Sequence, residues 1–117
     1  MVYKMHELSI VEAIVSMVLE KAKEANAGRV LRVYLVVGEL SGVLNEAVEL
    51  YFALLTKDTI AAKAELFFMH PPTQVRCRNC NTVYSPVNLK IACPNCREQK
   101  IEIISGRELY IDNLEVE

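Results

Sequence analysis

Residues 77–96 read CRNCNTVYSPVNLKIACPNC, and the four cysteines of this stretch form two Cys-x2-Cys pairs. Cys77 and Cys80 make the first pair, Cys93 and Cys96 make the second, and 12 residues separate the two pairs. That separation lets the chain double back and place four thiolates around one metal ion. Each pair puts its sulfurs on a tight turn, where neighbouring amides can hydrogen-bond them. The pattern predicts a closed tetrathiolate site for structural zinc.

The segment between the cysteine pairs has too few apolar side chains to fold by burial alone. Its large apolar residues are Val83, Tyr84, Val87, Leu89 and Ile91. A structural zinc site contributes on the order of 10 to 16 kcal/mol at neutral pH, which is ample to order such a segment. We therefore expect zinc binding and the folding of this segment to be coupled.

Other uses of the four cysteines stay open on the residues alone. Two disulfides would need an oxidising compartment, but Glu7, Glu12 and Glu20 interrupt the apolar run that a secretory signal would show. An iron centre of the rubredoxin type takes the same four ligands, although Arg97 stands where such knuckles usually carry glycine. A redox-active pair would need a βαβ context and a single Cys-x2-Cys, so the zinc ribbon is the favoured interpretation.

The composition indicates a globular chain with a core and a small accessory module. It has 117 residues, 52% of them hydrophobic, a formal charge of −2 and a pI near 5.7. No apolar run reaches the ~18 to 20 residues of a membrane span, so we expect a cytoplasmic protein without a membrane partner. The segment 75–100 has a formal charge of +4, which a zinc tetrathiolate reduces to about +2. That charge is too small to predict a dedicated nucleic-acid binder.

The hydrophobic pattern outside the cysteine segment predicts an α+β fold. Ser9-Ile10-Val11-Glu12 reads as a capping box, and Asn45 as the cap of a second helix. The stripe expected on the first helix is Ile10, Ala13, Ile14, Met17, Val18 and Ala22. The predicted elements are a helix over 9–25, a strand over 29–37, the second helix after residue 45, a strand over 64–69 and a last strand over 107–112. Two helices packed on a small three-stranded sheet would bury both stripes.

The cysteine module interrupts this fold as an insertion. Pro71-Pro72 ends the second strand before the module, and Ser105-Gly106 makes a turn after it. We therefore predict a discontinuous α+β domain over 1–74 and 105–117, with a zinc-ribbon domain over 75–104.

The start of the chain adds Met5-His6-Glu7 ahead of the predicted helix, and with this motif the sequence resembles the HypA/HybF family of hydrogenase-maturation proteins. The resemblance covers essentially the whole chain. Its other stretches are Val37-Gly38-Glu39-Leu40-Ser41-Gly42, Thr59-Ile60-Ala61, both cysteine pairs and Gly106-Arg107-Glu108-Leu109. The family's fold, a nickel-binding α+β domain with an inserted zinc ribbon, agrees with the layout predicted from the residues.

The resemblance implies a non-enzymatic nickel metallochaperone for maturation of [NiFe] hydrogenase. By matching position, nickel binding falls on His6, with Glu7 and Met5 beside it, and zinc falls on the four cysteines. The implied metals are Ni2+ as cargo and Zn2+ as a structural ion. The implied partners are the maturation GTPase HypB and the hydrogenase large-subunit precursor, with urease maturation proteins as further partners in some bacteria.

The nickel motif also raises a question of ligands. Nickel(II) favours planar nitrogen and oxygen donors, which the imidazole and backbone amide of His6 and a terminal amine can supply together. In the family the motif normally begins the polypeptide, whereas here Met1-Val2-Tyr3-Lys4 precede it. Two alternatives stay open: if the true start is Met5, its nitrogen is a terminal amine, and if the extension is real, its nitrogen is an amide, which must lose a proton before it binds nickel. The amide or carboxylate of Glu7 is a candidate fourth donor.

Two rival functions come from the ribbon itself. One is a nucleic-acid-binding module that uses Arg76, Arg78, Arg97 and Lys100, and the other is a rubredoxin-like electron carrier. His70, Glu39 and Glu108 are expected to have structural or solvated roles rather than metal-binding ones. No nucleophile and base are recognisably paired in the sequence, so we do not expect an enzyme.

Overall fold

The computed structural model describes the backbone of residues 2–86 and 90–117, and within those ranges the side chains from Glu7 onward. The helices are α1 (Val2–Glu24) and α2 (Asn45–Leu55). The strands are β1 (Val30–Val37), β2 (Glu65–Met69), β3 (Gln74–Cys77), β4 (Val83–Tyr84), β5 (Ile101–Ser105) and β6 (Leu109–Val116). They form two three-stranded sheets of order β2-β1-β6 and β4-β3-β5. The predicted α+β class is confirmed.

The chain folds as two compact units. The first unit contains Met1–Val36, Val43–Met69 and Tyr110–Glu117, and the second contains Val37–Gly42 and His70–Leu109. The domain limits inferred from the sequence, at residues 74 and 105, stay a prediction. Neither helix of the described chain has the length and apolar character needed to cross a membrane.

The first unit is built on a parallel pair of strands. β1 and β2 run parallel in a register from Arg32 opposite Glu65 to Val36 opposite Met69, and α2 makes the crossover between them. β6 lies on the other side of β1 and runs antiparallel to it, since Arg29 pairs with Glu117 and Arg32 with Glu115. Helix α1 packs against α2. The two predicted helices and the three-stranded sheet are therefore present.

The core of the first unit comes from α1, α2 and β1. Each large apolar side chain buried there contributes about 1.5 to 3 kcal/mol. The buried apolar residues with the lowest exposure on these elements are Val11, Val18, Ala22, Val30, Val33, Leu35 and Val48, and Ala61 joins them from the segment between α2 and β2.

Helix α1 begins seven residues earlier than predicted. It starts at Val2, so Ser9 lies within the helix and the prediction that Ser9 caps it is wrong. The sequence from residue 2 to residue 25 contains no glycine or proline, and so nothing in it stops the helix from extending. The end of the helix is confirmed, because Asn26 adopts a left-handed conformation with φ 53° just beyond Glu24.

The buried face of α1 differs from the predicted stripe at two positions. The buried face of α1 carries Val11, Ile14, Val15, Val18 and Ala22. Ala13 is exposed and Met17 is 48% exposed, so the predicted places of these two residues in the buried stripe are wrong. Glu7 lies one turn before Val11 on the same face, and it is only 7% exposed.

The start of α2 uses a cap that differs from the prediction. The N-cap residue is Leu44, which offers no side-chain cap, and Asn45 is the first helical residue. The Leu44 amide instead donates a long hydrogen bond, 3.5 Å, to Oε2 of Glu7. In a capping box this amide is satisfied by a carboxylate three residues further along the same helix. Here α1 supplies the carboxylate, which a pattern within α2 cannot reveal.

The last strand is shifted toward the end of the chain. It runs over Leu109–Val116 rather than 107–112, because Gly106 turns with φ 116° and leaves Arg107 outside the strand. The C-terminal half of this strand is held by Glu115, which accepts hydrogen bonds from Tyr34 Oη at 2.6 Å and from the Arg32 guanidinium. These partners are more than 80 residues away in the sequence.

The second unit contains the four cysteines and an antiparallel sheet, and Cys77 is the last residue of its strand β3. β3 pairs with β4 and with β5. Beside this sheet, the Gly38 amide donates to the Glu108 carbonyl at 2.7 Å, and the Leu40 amide donates to the Gly106 carbonyl at 2.6 Å. The structural roles expected for three polar residues are confirmed. Glu39 accepts from the Thr73 amide, Glu108 from the Gly106 amide, and His70 Nδ1 lies 2.9 Å from the Val37 carbonyl.

Candidate metal centre

The four cysteine sulfurs lie close together at one end of the second unit. Their Sγ atoms are all within 4.8 Å of one another, with Cys77 to Cys96 at 3.5 Å and Cys80 to Cys93 at 3.6 Å. A tetrahedron with metal–sulfur bonds of 2.3 Å has edges of about 3.8 Å. The predicted cysteines are thus gathered, and the spacing of their sulfurs fits a tetrahedral tetrathiolate ion.

The two Cys-x2-Cys turns repeat each other in backbone geometry. The Asn81 amide donates to the Cys77 carbonyl at 2.9 Å, and the Arg97 amide donates to the Cys93 carbonyl at 2.8 Å. Asn81 and Arg97 both adopt left-handed conformations, with φ 64° and 66°. Arg97 therefore takes the backbone conformation that glycine usually supplies at this place, which explains why the missing glycine does not prevent a knuckle.

The repeat continues in the hydrogen bonds to sulfur. The Asn79 amide donates to Cys77 Sγ and the Asn95 amide donates to Cys93 Sγ, both at 3.4 Å. The side chain of Asn79 reaches Cys96 Sγ at 3.5 Å. Such donors stabilise the thiolate form, which is the form that binds a metal.

The pKa values of the thiols show the effect of these donors. The Thr82 hydroxyl, together with the Asn95 side chain, lowers the pKa of Cys80 to about 5. The Asn79 side chain lowers the pKa of Cys96. The Cys80 amide lowers the pKa of Cys77, as the Asn79 amide does, but burial and the neighbouring thiols outweigh them and raise this pKa to about 11. A bound divalent cation would supply the positive charge that the buried thiol lacks.

The nickel motif lies at the start of α1. The structure places Met5, His6 and Glu7 within the helix, and the side chains of Met5 and His6 lie outside its described part. Glu7 is the one motif residue with a described side chain, and it contacts the Leu44 amide. The cysteine cluster is thus described in full, and the nickel motif through its backbone and Glu7.

The residues that support the cysteines were not predicted from the sequence. A signal for them exists, because Asn79 and Asn95 stand at the same place in Cys-Arg-Asn-Cys and Cys-Pro-Asn-Cys. The contact between Glu7 and Leu44 has no such signal, since 37 residues separate the two.

Comparisons with known proteins agree with this fold and site. A family described as hydrogenase/urease nickel incorporation, metallochaperone, hypA, matches residues 5–116. The hydrogenase maturation factor HypA of Dehalococcoides mccartyi strain CBDB1 is 40% identical over 113 residues, which cover 97% of this chain and 95% of that protein. A solution structure of a HypA protein superposes with a TM-score of 0.75 at 25% identity, and covers 96% of both chains.

A solution structure of the Ni metallochaperone HypA from Helicobacter pylori shares the fold, with a TM-score of 0.66 at 24% identity over 94% of this chain and 96% of that one. The fold and the cysteine cluster define an α+β protein with a metal-binding ribbon. The family match, which begins at Met5, makes the assignment specific: this chain belongs to the HypA family. The resemblance stated from the sequence motifs is confirmed.

Proposed function

We propose that this chain is a nickel metallochaperone for the maturation of [NiFe] hydrogenase, with Ni2+ bound at Met5-His6-Glu7 and a structural Zn2+ bound by the four cysteines. The observation that carries the proposal is the family match over residues 5–116, which includes the whole motif and all four cysteines. The family is one of nickel-incorporation metallochaperones, and so a carrier without catalytic activity is the function that fits the chain best.

The geometry of α1 gives this proposal a mechanism for nickel release. Within an α-helix the amide of His6 faces the carbonyl of Val2, and the amide of Glu7 faces that of Tyr3. Deprotonated amides that bind nickel cannot also donate these hydrogen bonds. Nickel coordination through the backbone therefore requires the start of α1 to unwind, and re-formation of the helix favours release.

Glu7 has two possible roles in the proposed site. Its carboxylate holds the Leu44 amide at the start of α2, so it binds nickel only when that hydrogen bond opens. Its backbone amide competes with the helix in the same way as that of His6. Nickel loading would then loosen both the start of α1 and the cap of α2.

The four cysteines suit a closed, structural zinc site. Two of the sulfurs are buried and two half-buried, and with four thiolates the metal keeps no open position for a substrate. Thiolates that hold zinc persist in a reducing compartment, which supports a cytoplasmic location.

We further propose that nickel passes to the hydrogenase large-subunit precursor, with the GTPase HypB as a second partner and urease maturation proteins as additional partners. The support is the family description, which names both hydrogenase and urease.

The test is nickel transfer to a purified large-subunit precursor. The chain contains two histidines, and His70 is an internal control because it contacts a backbone carbonyl in the second unit. We expect His6→Ala to abolish transfer and His70→Ala to preserve it. Transfer by His6→Ala at the wild-type level would contradict the proposed nickel site.

A further inference from the structure

Two asparagines occupy the same position in the two cysteine turns, and Asn79 contacts both turns. The amide of Asn79 donates to Cys77 in its own turn, and its side chain reaches Cys96 in the other turn at 3.5 Å. Asn95 repeats the first half of this arrangement, since its amide donates to Cys93, and its side chain is among the groups that lower the pKa of Cys80. Three of the four sulfurs therefore receive a hydrogen bond from one of the two asparagines.

The exposure of the sulfurs shows what the side chains add. Cys77 and Cys93, which receive the backbone amides, are buried at 0% and 1% exposure. Cys80 and Cys96, which receive the side chains, are only half-buried. The Asn79 side chain thus lies against the sulfur of one of the two half-buried cysteines, Cys96. The asparagines are themselves exposed, so they gain little from burial.

We propose that Asn79 and Asn95 are crossed positioning residues of the metal site, each of which holds and shields the last thiolate of the opposite turn. The proposal rests on the structural zinc of the proposed function. The crossed pair controls how fast the site loses its metal and how readily Cys80 and Cys96 react with electrophiles. Partners of this kind typically change metal affinity by about 10 to 100-fold.

The two halves of the pair are not equivalent. Cys80 also lies 3.1 Å from the Thr82 hydroxyl, whereas the matching position after Cys96 is Glu98, whose side chain is a carboxylate and offers no such donor. Cys80 therefore keeps a side-chain donor when Asn95 is lost, and Cys96 keeps none when Asn79 is lost. We expect the loss of Asn79 to have the larger effect.

In the first measurement, the zinc-loaded chain reacts with less than one equivalent of N-ethylmaleimide, and the cysteine that is modified first is identified. The second measurement follows the transfer of zinc to a chromogenic chelator. Asn79→Ala should raise modification of Cys96 and speed zinc loss by about 10-fold, and Asn95→Ala should raise modification of Cys80 by less. Asn79→Asp, which keeps the shape but replaces the N–H donors with a negative charge beside the thiolates, should speed zinc loss at least as much as Asn79→Ala. Arg78→Ala is the control, because it changes an exposed neighbour in the same turn.

The crossed pattern separates this role from a loosened turn. The proposal is overturned if the first cysteine modified in the Asn79→Ala chain is Cys80, which lies in the same turn as Asn79. It is also overturned if Asn79→Ala and Arg78→Ala give the same site of modification and the same rate of zinc loss. A wild-type chain purified with no zinc would instead overturn the structural zinc site, and this result is distinguishable because it appears before any variant is made.

Discussion

Substitution of Gly38 by alanine should destabilise the protein more than substitution of Gly28 or Gly42, because only at Gly38 of these three would the new Cβ overlap other atoms. An ideal Cβ at Gly38 would lie 2.2 Å from the Gly106 carbonyl oxygen and 2.6 Å from Glu108 Oε1. Non-bonded heavy atoms are comfortable from about 3.5 Å, so the two backbone segments must separate by about 1 Å.

That separation breaks the hydrogen bonds from the Gly38 amide to Glu108 and from the Leu40 amide to Gly106, at 2.7 and 2.6 Å. Each is worth about 0.5 to 1.5 kcal/mol, and the overpacking adds about 1 kcal/mol or more. We therefore expect Gly38→Ala to lower the free energy of unfolding by about 2 to 4 kcal/mol.

Two other glycines provide matched controls in urea denaturation followed by circular dichroism. The Cβ of Gly28→Ala would meet only the Glu117 carbonyl oxygen at 3.8 Å, so its free energy of unfolding should change by less than about 0.5 kcal/mol. Gly42→Ala meets no atom within 4 Å but must keep φ 76°, which costs about 1 kcal/mol. The reasoning is refuted if Gly38→Ala is as stable as Gly28→Ala.

The remaining predictions concern the metal site, the helix cap and acid stability. Element analysis of Cys93→Ser should find no zinc, and only the ribbon should lose its dispersed amide NMR signals. A ribbon that stays folded without metal would contradict this. Glu7→Ala should destabilise the first unit by about 1 kcal/mol in urea, whereas Glu7→Gln, which keeps an acceptor for the Leu44 amide, should retain most of the stability. The pKa of Glu115 is lowered by its hydrogen bond from Tyr34, so its contribution to stability is present above about pH 4.5 and is lost as the pH falls further. In a plot of melting temperature against pH, Glu115→Gln should reduce the fall of the melting temperature at acid pH. An unchanged fall would refute the assignment.

The sequence predicted the elements that depend on local pattern. The strand predicted over 29–37 is present as β1, with buried Val33, Leu35 and Val37, and the second helix is present as α2, with buried Val48 and Phe52. The cysteine spacing was sufficient to predict the metal cluster, because thiolates at that separation have few other ways to converge.

The errors of the sequence analysis share a physical origin in long-range contacts. The capping box at Ser9 is a local signal, and it competes with the burial of a whole helical face that reaches back to Glu7. The cap of α2 and the end of β6 depend on Glu7 and Glu115, whose partners are far away in the sequence. A local pattern carries no information about such partners.

The most direct test of the nickel site is calorimetric titration of Ni2+ into three zinc-loaded chains: the full-length chain, a chain that starts at Met5, and His6→Ala. We expect His6→Ala to show no nickel binding while its zinc content is unchanged. The chain that starts at Met5 should bind more tightly than the full-length chain, because an amine of pKa ~7.7 to 8.0 replaces an amide. Circular dichroism during the titration should show a small loss of helix as the start of α1 unwinds. Equal nickel affinity in the full-length chain and His6→Ala would contradict the account, because it would place the nickel outside Met5-His6-Glu7.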